Sequence, residues 1–315
     1  MEDLFTYREL VYAIYEEKSF SKAAQKLFIA QPSLSLTVKK LEQKLGMPLF
    51  DRTTKPITLT EAGQQYIAAV EAIRHVEDAF DSYLLAVNGL EAGSLGIGSN
   101  QLLSSLVLPR FISAFTQTYP GIRLSLLDAN STVLEKEIHA GHLDLVIDNH
   151  ILDEGIFDRK LLTTERLYLA VPALFSENRA LTQHAMRYEQ ILQGDPCPEP
   201  VPLEQFANVP FILMNRDNDA RRHTDAIFQE TGFHPRVLFE MDRLATLYTY
   251  IEMGTAASIV SDTLIRNIRG IDHDKIIFYP LPTEHAMRQV FVSWKRNKYL
   301  SKAMTVFMDS LGNLG

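Results

Sequence analysis

Pro32 stands inside a run of helical periodicity, and its position dictates how the N-terminal part of the chain can fold. Upstream, Leu4, Tyr7, Val11 and Ile14 recur at the spacing of one helix face, which predicts an amphipathic helix ending near Glu17 or Lys18. Ser19 or Ser21 supplies an N-cap for a short second helix over about 21–27, where Ala23 and Ala24 let a crossing helix approach closely. A turn is expected at 28–30. Proline is tolerated in the first turn of a helix, where its missing N–H would have no intrahelical partner, so Pro32 marks the start of a third helix and not a break. That helix should cover 31–45 and stop at Gly46, burying Leu34, Val38, Leu41 and Leu45. Its opposite face carries Pro32, Ser35, Leu36, Lys39 and Gln43.

A short helix, a tight turn and a second helix with a polar outer face form the layout of a helix-turn-helix, whose second helix enters the DNA major groove. Charge supports that reading. Between Lys18 and Lys55 eight basic residues face two acidic ones, a balance of +6; subtracted from a net charge of −8, this leaves −14 for the rest of the chain. A basic island on an acidic protein suits a dedicated polyanion-binding module, because lysine and arginine contacts to phosphate supply most sequence-independent affinity. Downstream, Pro48, Pro56 and the alternating Ile57 and Leu59 predict a two-stranded hairpin, or wing, with Arg52 and Lys55 near its tip.

The run SFSKAAQKLFIAQPSLSLTVKKLEQKLGMPLFDRTTKPITLTEAG, Ser19 to Gly63, strongly resembles the winged helix-turn-helix of LysR-type transcriptional regulators. The resemblance implies that Gln31, Pro32 and Ser35 lie at the DNA bases, and that Ser33 and Arg52 contact the backbone or the adjacent minor groove. The family usually has arginine after the serine matching Ser35; this chain has Leu36, which can meet thymine methyl groups instead. Lys39 and Lys55 complete the expected DNA-contacting set.

From Glu61 to Asn88 no proline occurs and no glycine follows Gly63, while Tyr66, Val70, Ile73, Phe80, Leu84 and Val87 keep a near-heptad stripe broken by Glu77. Such a helix normally pairs with another. The family's linker helix dimerises, so a homodimer is expected, and the resemblance further implies a tetramer. The expected division is 1–60 for the winged helix-turn-helix, 61–90 for the linker helix and 91–315 for a C-terminal domain.

In that domain, strand and helix patterns alternate: Leu95 and Ile97, then RLSLLDA, LDLVID, LYLAV, PFILM, RVLFE and ASIVS, with helices between, predict parallel α/β lobes. The fold class is therefore α/β with an N-terminal all-α winged helix-turn-helix. GSLGIG with the following helix, LEKEIHAGHLDLVID, and FEMDRLATLYTYIEMGTAASIVSD resemble the LysR-type effector domain. That implies two lobes like those of periplasmic binding proteins, lobe I over about 91–163 and 267–315 and lobe II over about 164–266, with crossings near Thr164 and Arg266.

Ligands of such lobes sit beyond the carboxyl ends of strands, near helix N-termini that attract anions. Ser99, Asn100, Gln101, Asn130, Asp148, Asn215 and Asp242 are the expected effector contacts, and Arg216, Arg221 and Arg222 can pair with an anionic effector, with solvated surface as the competing role for each of the three. Helix or strand capping is the competing role for each polar residue.

Other functions find little support. Gly93, Gly96 and Gly98 are spaced G-x-x-G-x-G, not as a dinucleotide fingerprint. His139 and His142, or Asp272, His273 and Asp274, lack a further metal ligand in register. Cys197 is the single cysteine, read as an incidental loop thiol, and 178–202 reads as an extended surface loop or small helix. No catalytic residue, metal or cofactor is expected. The acidic start MEDLFTYREL argues against export, and no apolar run is long enough to span a membrane, so a cytoplasmic location is expected. The leading function is a double-stranded-DNA-binding regulator of promoters with dyad symmetry, modulated by a small molecule. The alternatives are a cytoplasmic ligand-binding module or an enzyme on the two-lobe scaffold, which salt-dependent binding to DNA would separate from the regulator.

Overall fold

The computed structural model describes residues 4–54, 56–87 and 93–313, and the chain divides into two compact units, Met1–Leu84 and Leu85–Gly315. In the first, α1 (Arg8–Glu17), α2 (Phe20–Lys26) and α3 (Gln31–Leu45) are followed by β1 (Phe50–Asp51), β2 (Thr58–Leu59) and α4 (Glu61–Val87). Ser19 caps α2 by accepting from the Lys22 amide, and Gly46 ends α3 in the left-handed conformation that glycine adopts without strain. Val11, Ile14, Ala23, Leu34, Val38 and Val70 are fully buried together, which fixes the crossing of the three helices. Leu45, expected in this stripe, packs only at its margin. β1 and β2 pair antiparallel, Phe50 opposite Leu59, as the expected wing. Gly63 locks the wing to α4: a Cβ there would lie 2.0 Å from the Leu49 carbonyl oxygen, so only glycine fits.

At about 1.5 Å per residue, the 27 residues of α4 span about 40 Å. The expected single stripe along it divides in two. Tyr66 and Val70 are buried in the unit's own core, with the Tyr66 hydroxyl donating to the Leu4 carbonyl, whereas Val76 and Phe80 are 71% and 60% exposed. Glu77, the break in the stripe, is bound by Arg8 at 2.6 and 2.7 Å, and Arg74 pairs with Glu9 while lying 3.9 Å from the Tyr12 ring centroid. The side chains of Leu84 and Val87 lie outside the described residues.

The second unit runs β3 (Gly93–Ser99), a π-turn at Leu103–Val107, α5 (Leu108–Thr118), β4 (Ile122–Asp128), α6 (Ser131–Ala140), β5 (Leu145–Asp148) and β6 (Phe157–Pro172). It continues with α7 (Tyr188–Gln193), β7 (Pro210–Met214), α8 (Asp219–Thr231), β8 (Arg236–Met241), α9 (Leu244–Glu252), β9 (Ser258–Ser261) and α10 (Asp262–Asn267). β10 (Ile276–Pro280), β11 (Met287–Lys295) and α11 (Lys302–Ser310) complete it. In lobe I, β3 lies parallel between β4 and β5, and β11 joins β5 and the first half of β6 antiparallel. In lobe II the second half of β6 pairs antiparallel with β9 and β10, and β7 pairs parallel with β8.

The 16-residue β6 therefore carries the chain between the lobes, changing partners at Arg166 and Leu167, close to the expected crossing at Thr164. The return does not occur at Arg266. All five residues of β10 are buried and find their ladder on the second half of β6, so lobe II continues to the start of β11, and the return is at Met287. The shared strands join the two lobes in one seven-stranded mixed sheet where parallel order was expected, while β7 and β8 form a separate parallel pair.

Gly98 serves packing: a Cβ there would meet Leu143 Cδ1 at 2.5 Å and Leu134 Cδ2 at 2.8 Å, so the glycine admits α6 and its following loop against β3. Nor is the 178–202 segment a solvated loop. Leu181, Met186, Ile191 and Val201 are buried in the lobe II core, and Met186 exchanges backbone hydrogen bonds with Phe278. The small helix expected as the alternative is present as α7, and the apolar residues around it are spaced too irregularly to signal their burial.

Candidate nucleic-acid interface and interlobe cleft

On α3, Gln31, Pro32, Ser33, Leu36 and Lys39 are exposed while Leu34, Val38 and Leu41 anchor the helix from behind. Leu36 is 56% exposed, the apolar member of an otherwise polar face. Ser35 is half-buried and accepts at 3.1 Å from Gln31 Nε2, which holds the two side chains as a pair. Lys39 has no side-chain hydrogen bond or ion pair among the described residues. The turn ahead of α3 places Phe28 at φ 55° with 95% of its surface exposed, a feature that nothing in the LFIAQ run signals.

Arg52, expected at the DNA backbone or the adjacent minor groove, is engaged within its own unit. Its guanidinium donates to Glu42 Oε2 at 2.9 Å and lies 4.7 Å from the Phe20 ring centroid. Glu42 in turn accepts the amides of Leu49 and Phe50 through Oε1. Arg52 thus fastens the wing to α2 and α3, because a carboxylate on α3 lies within reach. Lys26 is likewise held by Glu16 and Glu17. Lys55 lies outside the described residues.

Between the lobes is a cavity of about 260 Å³. Asn100, Gln101 and Asn130 line it from lobe I, and Asn215 and Asp242 from lobe II, as expected. Their side chains are partly engaged: Asn100 Oδ1 accepts the Leu103 amide, Asn130 Oδ1 caps α6 at Val133, and Asn215 donates to Asp242. Three expectations fail here. Ser99 is fully buried and donates to the Ile147 carbonyl at 2.7 Å, tying β3 to β5. Asp148 is buried behind the wall, accepting from Asn100 Nδ2 and the Asn149 amide, with Ser131 Oγ 2.6 Å from its other oxygen. Arg216 does not line the cavity; Arg221 is spent on Asp225, Glu240 and the Met214 carbonyl, and Arg222 pairs with Asp219. Because α8 carries its own carboxylates and faces Glu240 on β8, its arginines satisfy lobe II itself.

Sequence reasoning missed the groups at the cleft floor. Arg288, 8% exposed, lies opposite Glu165 in the β11–β6 register and donates from Nε to Glu165 Oε2 at 2.6 Å. Asn149 donates to the same oxygen, while Glu165 Oε1 is buried without a partner. The signal was present: TTERLYLAV holds Glu165 and Arg166, and AMRQVFVSW holds Arg288, inside strand-forming runs, and a charge buried in a sheet needs a partner. Nearby His223 is pushed down to about 4, first by burial and then by Arg288 and Arg222. Across the cleft, Ser131 in lobe I donates to Asp219 in lobe II, whose carboxylate also accepts the Ser131 amide at 3.2 Å.

The remaining candidates are accounted for locally. His142 contacts Glu137, and His273 stacks on Tyr188 and meets the Tyr248 hydroxyl. Cys197 is half-buried, its Sγ 2.9 Å from an Arg166 guanidinium nitrogen.

Residues 8–64 match the model for the bacterial regulatory helix-turn-helix protein, LysR family, and residues 88–314 match the LysR substrate binding domain. The chain is 31% identical over 309 residues to YcgK, an uncharacterized HTH-type transcriptional regulator of Bacillus subtilis (strain 168), covering 96% of this chain and 91% of that one. A probable RuBisCO transcriptional regulator of Cyanidioschyzon merolae is 28% identical over the full length of both. Among solved structures, a full-length OxyR variant from Pseudomonas aeruginosa superposes with a TM-score of 0.69 at 21% identity, covering 99% of this chain and 95% of that one. Full-length CbnR complexed with its target DNA gives 0.61 at 19% identity over the whole of both chains.

Proposed function

The chain belongs to the LysR family of transcriptional regulators, and from that premise we propose how its two units divide the work. It is a DNA-binding regulator with an effector-binding C-terminal domain. In our reading α3 enters the major groove and presents Gln31, Pro32, Ser35 and Leu36 to base edges, while Ser33 and Lys39 meet phosphates. The observation that carries this is the exposed, mainly polar row on α3 backed by a fully buried anchor row. Arg52 acts by holding the wing in place, and Lys55 adds a further basic charge to the same stretch of sequence.

Self-association follows from the exposed half of α4. Val76 and Phe80 there form an apolar surface suited to a second copy, and a dimer reads two half-sites together. A tetramer is the larger assembly in this reading. A small-molecule effector occupies the interlobe cavity and shifts the balance between lobe arrangements by binding one more tightly than the other. No helix among the described residues is long and apolar enough to cross a membrane, and a regulator of this class works in the cytoplasm, where the DNA is.

Fluorescence anisotropy of the full chain on duplex DNA tests the reading. Affinity should fall steeply with salt, as release of counterions from phosphate requires, and Lys39→Ala should reduce the slope by about one for each protomer bound. Binding that is absent, or indifferent to salt, would refute it.

A further inference from the structure

The chemistry of the cleft selects an effector class. Four carboxylates line it, from Asp128 on lobe I and Asp217, Asp219 and Asp242 on lobe II, against a single cation, Arg288. Two of these charges are compensated: Arg288 by the buried Glu165, and Asp219 by Arg222. Asp242 accepts from the Asn215 amide. Asp128 and Asp217 remain, exposed on opposite walls, neither with a side-chain hydrogen bond or ion pair among the described residues. A purely anionic effector would add negative charge to a cavity that already has an excess of it.

Arg288 supplies the opposite requirement. Of the five N–H donors of a guanidinium, only Nε–H is used, by Glu165, and neither Nη has a hydrogen-bond partner among the described residues. A side chain more than nine-tenths buried, lining a cavity with both Nη groups unspent, calls for an acceptor, and a carboxylate matches that fork bidentately. At about 260 Å³ the cavity is smaller than the roughly 300–1,000 Å³ of drug-sized pockets and suits a small metabolite.

We infer that the effector is an amino-acid-class zwitterion, its carboxylate on the Nη groups of Arg288 and its ammonium between Asp128 and Asp217. The assignment rests on the reading of the cleft as the effector site. An ammonium that meets one aspartate from each lobe also removes the repulsion that opposes closure, so binding and lobe closure are coupled.

The test is titration calorimetry of the full chain with three probe series: the standard L-amino acids, their decarboxylated amines and their desamino carboxylic acids. At least one amino acid should bind, and loss of either charged group should weaken it at least tenfold. Asp128→Asn and Asp217→Asn should each weaken the amino acid by about tenfold and leave the desamino acid unaffected. Arg288→Gln should abolish binding and Arg288→Lys restore part of it; the aspartates, being exposed, keep the test decisive if Arg288→Gln does not fold. Failure of every amino acid to bind, a desamino acid binding as well as its parent, or indifference to both aspartate substitutions would overturn the class. The effector reading itself fails separately, if a ligand that saturates the cleft leaves DNA affinity and promoter output unchanged.

Discussion

Ser131 in lobe I hydrogen-bonds to Asp219 in lobe II, and on its own side of the cleft lies 2.6 Å from Asp148. A hydroxyl has one proton to give, so it can bond only one of the two carboxylates at a time, and the Ser131 amide supplies Asp219 with a second donor across the line along which the lobes separate. Ser131→Ala removes that bridge and leaves the carboxylates facing each other. Urea unfolding of the C-terminal unit should register a loss of about 1–3 kcal/mol, and Ser131→Thr should recover most of it. An alanine variant as stable as the parent would mean the bridge contributes nothing.

The buried Arg288–Glu165 pair should behave as a unit. Arg288→Met alone strands Glu165, whose Oε1 already lacks a partner, and should cost about 3–5 kcal/mol. Combining it with Glu165→Leu should cost far less than the sum of the single changes. A double-mutant cycle by chemical denaturation reads the coupling directly, and additive losses would show that the two side chains do not depend on each other.

His223 gives stability a pH dependence of known sign. Burial beside Arg288 and Arg222 holds its native pKa at about 4, below the ordinary 6.5, so between those values the unfolded chain takes up a proton that the native chain refuses. Its contribution to stability is intact at pH 7, declines as pH falls through 6.5 and levels off below about 4. After discounting for partial access to water, the loss from pH 7 to pH 5 is roughly 1 kcal/mol. His223→Gln should flatten the urea midpoint over that range by the same amount; an unchanged profile would place the titration elsewhere.

How legible this was in the sequence depended on the range of each interaction. Helix boundaries around Pro32 and Gly46 follow from local chemistry, and α3 spans the residues expected of it. The pairing of Arg52 with Glu42 could not be read locally, because it spans a turn and a change of element. Arg288 and Glu165 are 123 positions apart, and only the shared strands bring them together, so neither could be placed on the cleft floor from local pattern. Ser99 and Asp148 sit at strand ends as expected, but their side chains satisfy neighbouring strands and loops instead of facing the cavity.

Leu36 is the position on α3 where this chain departs from the family's usual arginine. Its apolar, exposed side chain can contact a thymine methyl group but cannot donate to guanine. Leu36→Arg should tighten binding by about tenfold and move preference at one base pair toward guanine. Arg52→Ala, by contrast, should weaken binding on every sequence, because it releases the wing. Anisotropy on duplexes varied at that base pair separates the two effects, and equal binding by both variants and the parent would contradict both assignments.

Selection of duplexes from a random pool by the full chain, followed by sequencing, examines base reading by α3 most directly. The parent should enrich an inverted repeat with half-sites about one helical turn apart, Leu36→Arg should change one symmetry-related base pair in it, and Gln31→Ala with Ser35→Ala should lose the enrichment. A pool that stays random with the parent, or an enriched site that is identical for all three proteins, would show that the exposed face of α3 does not read DNA.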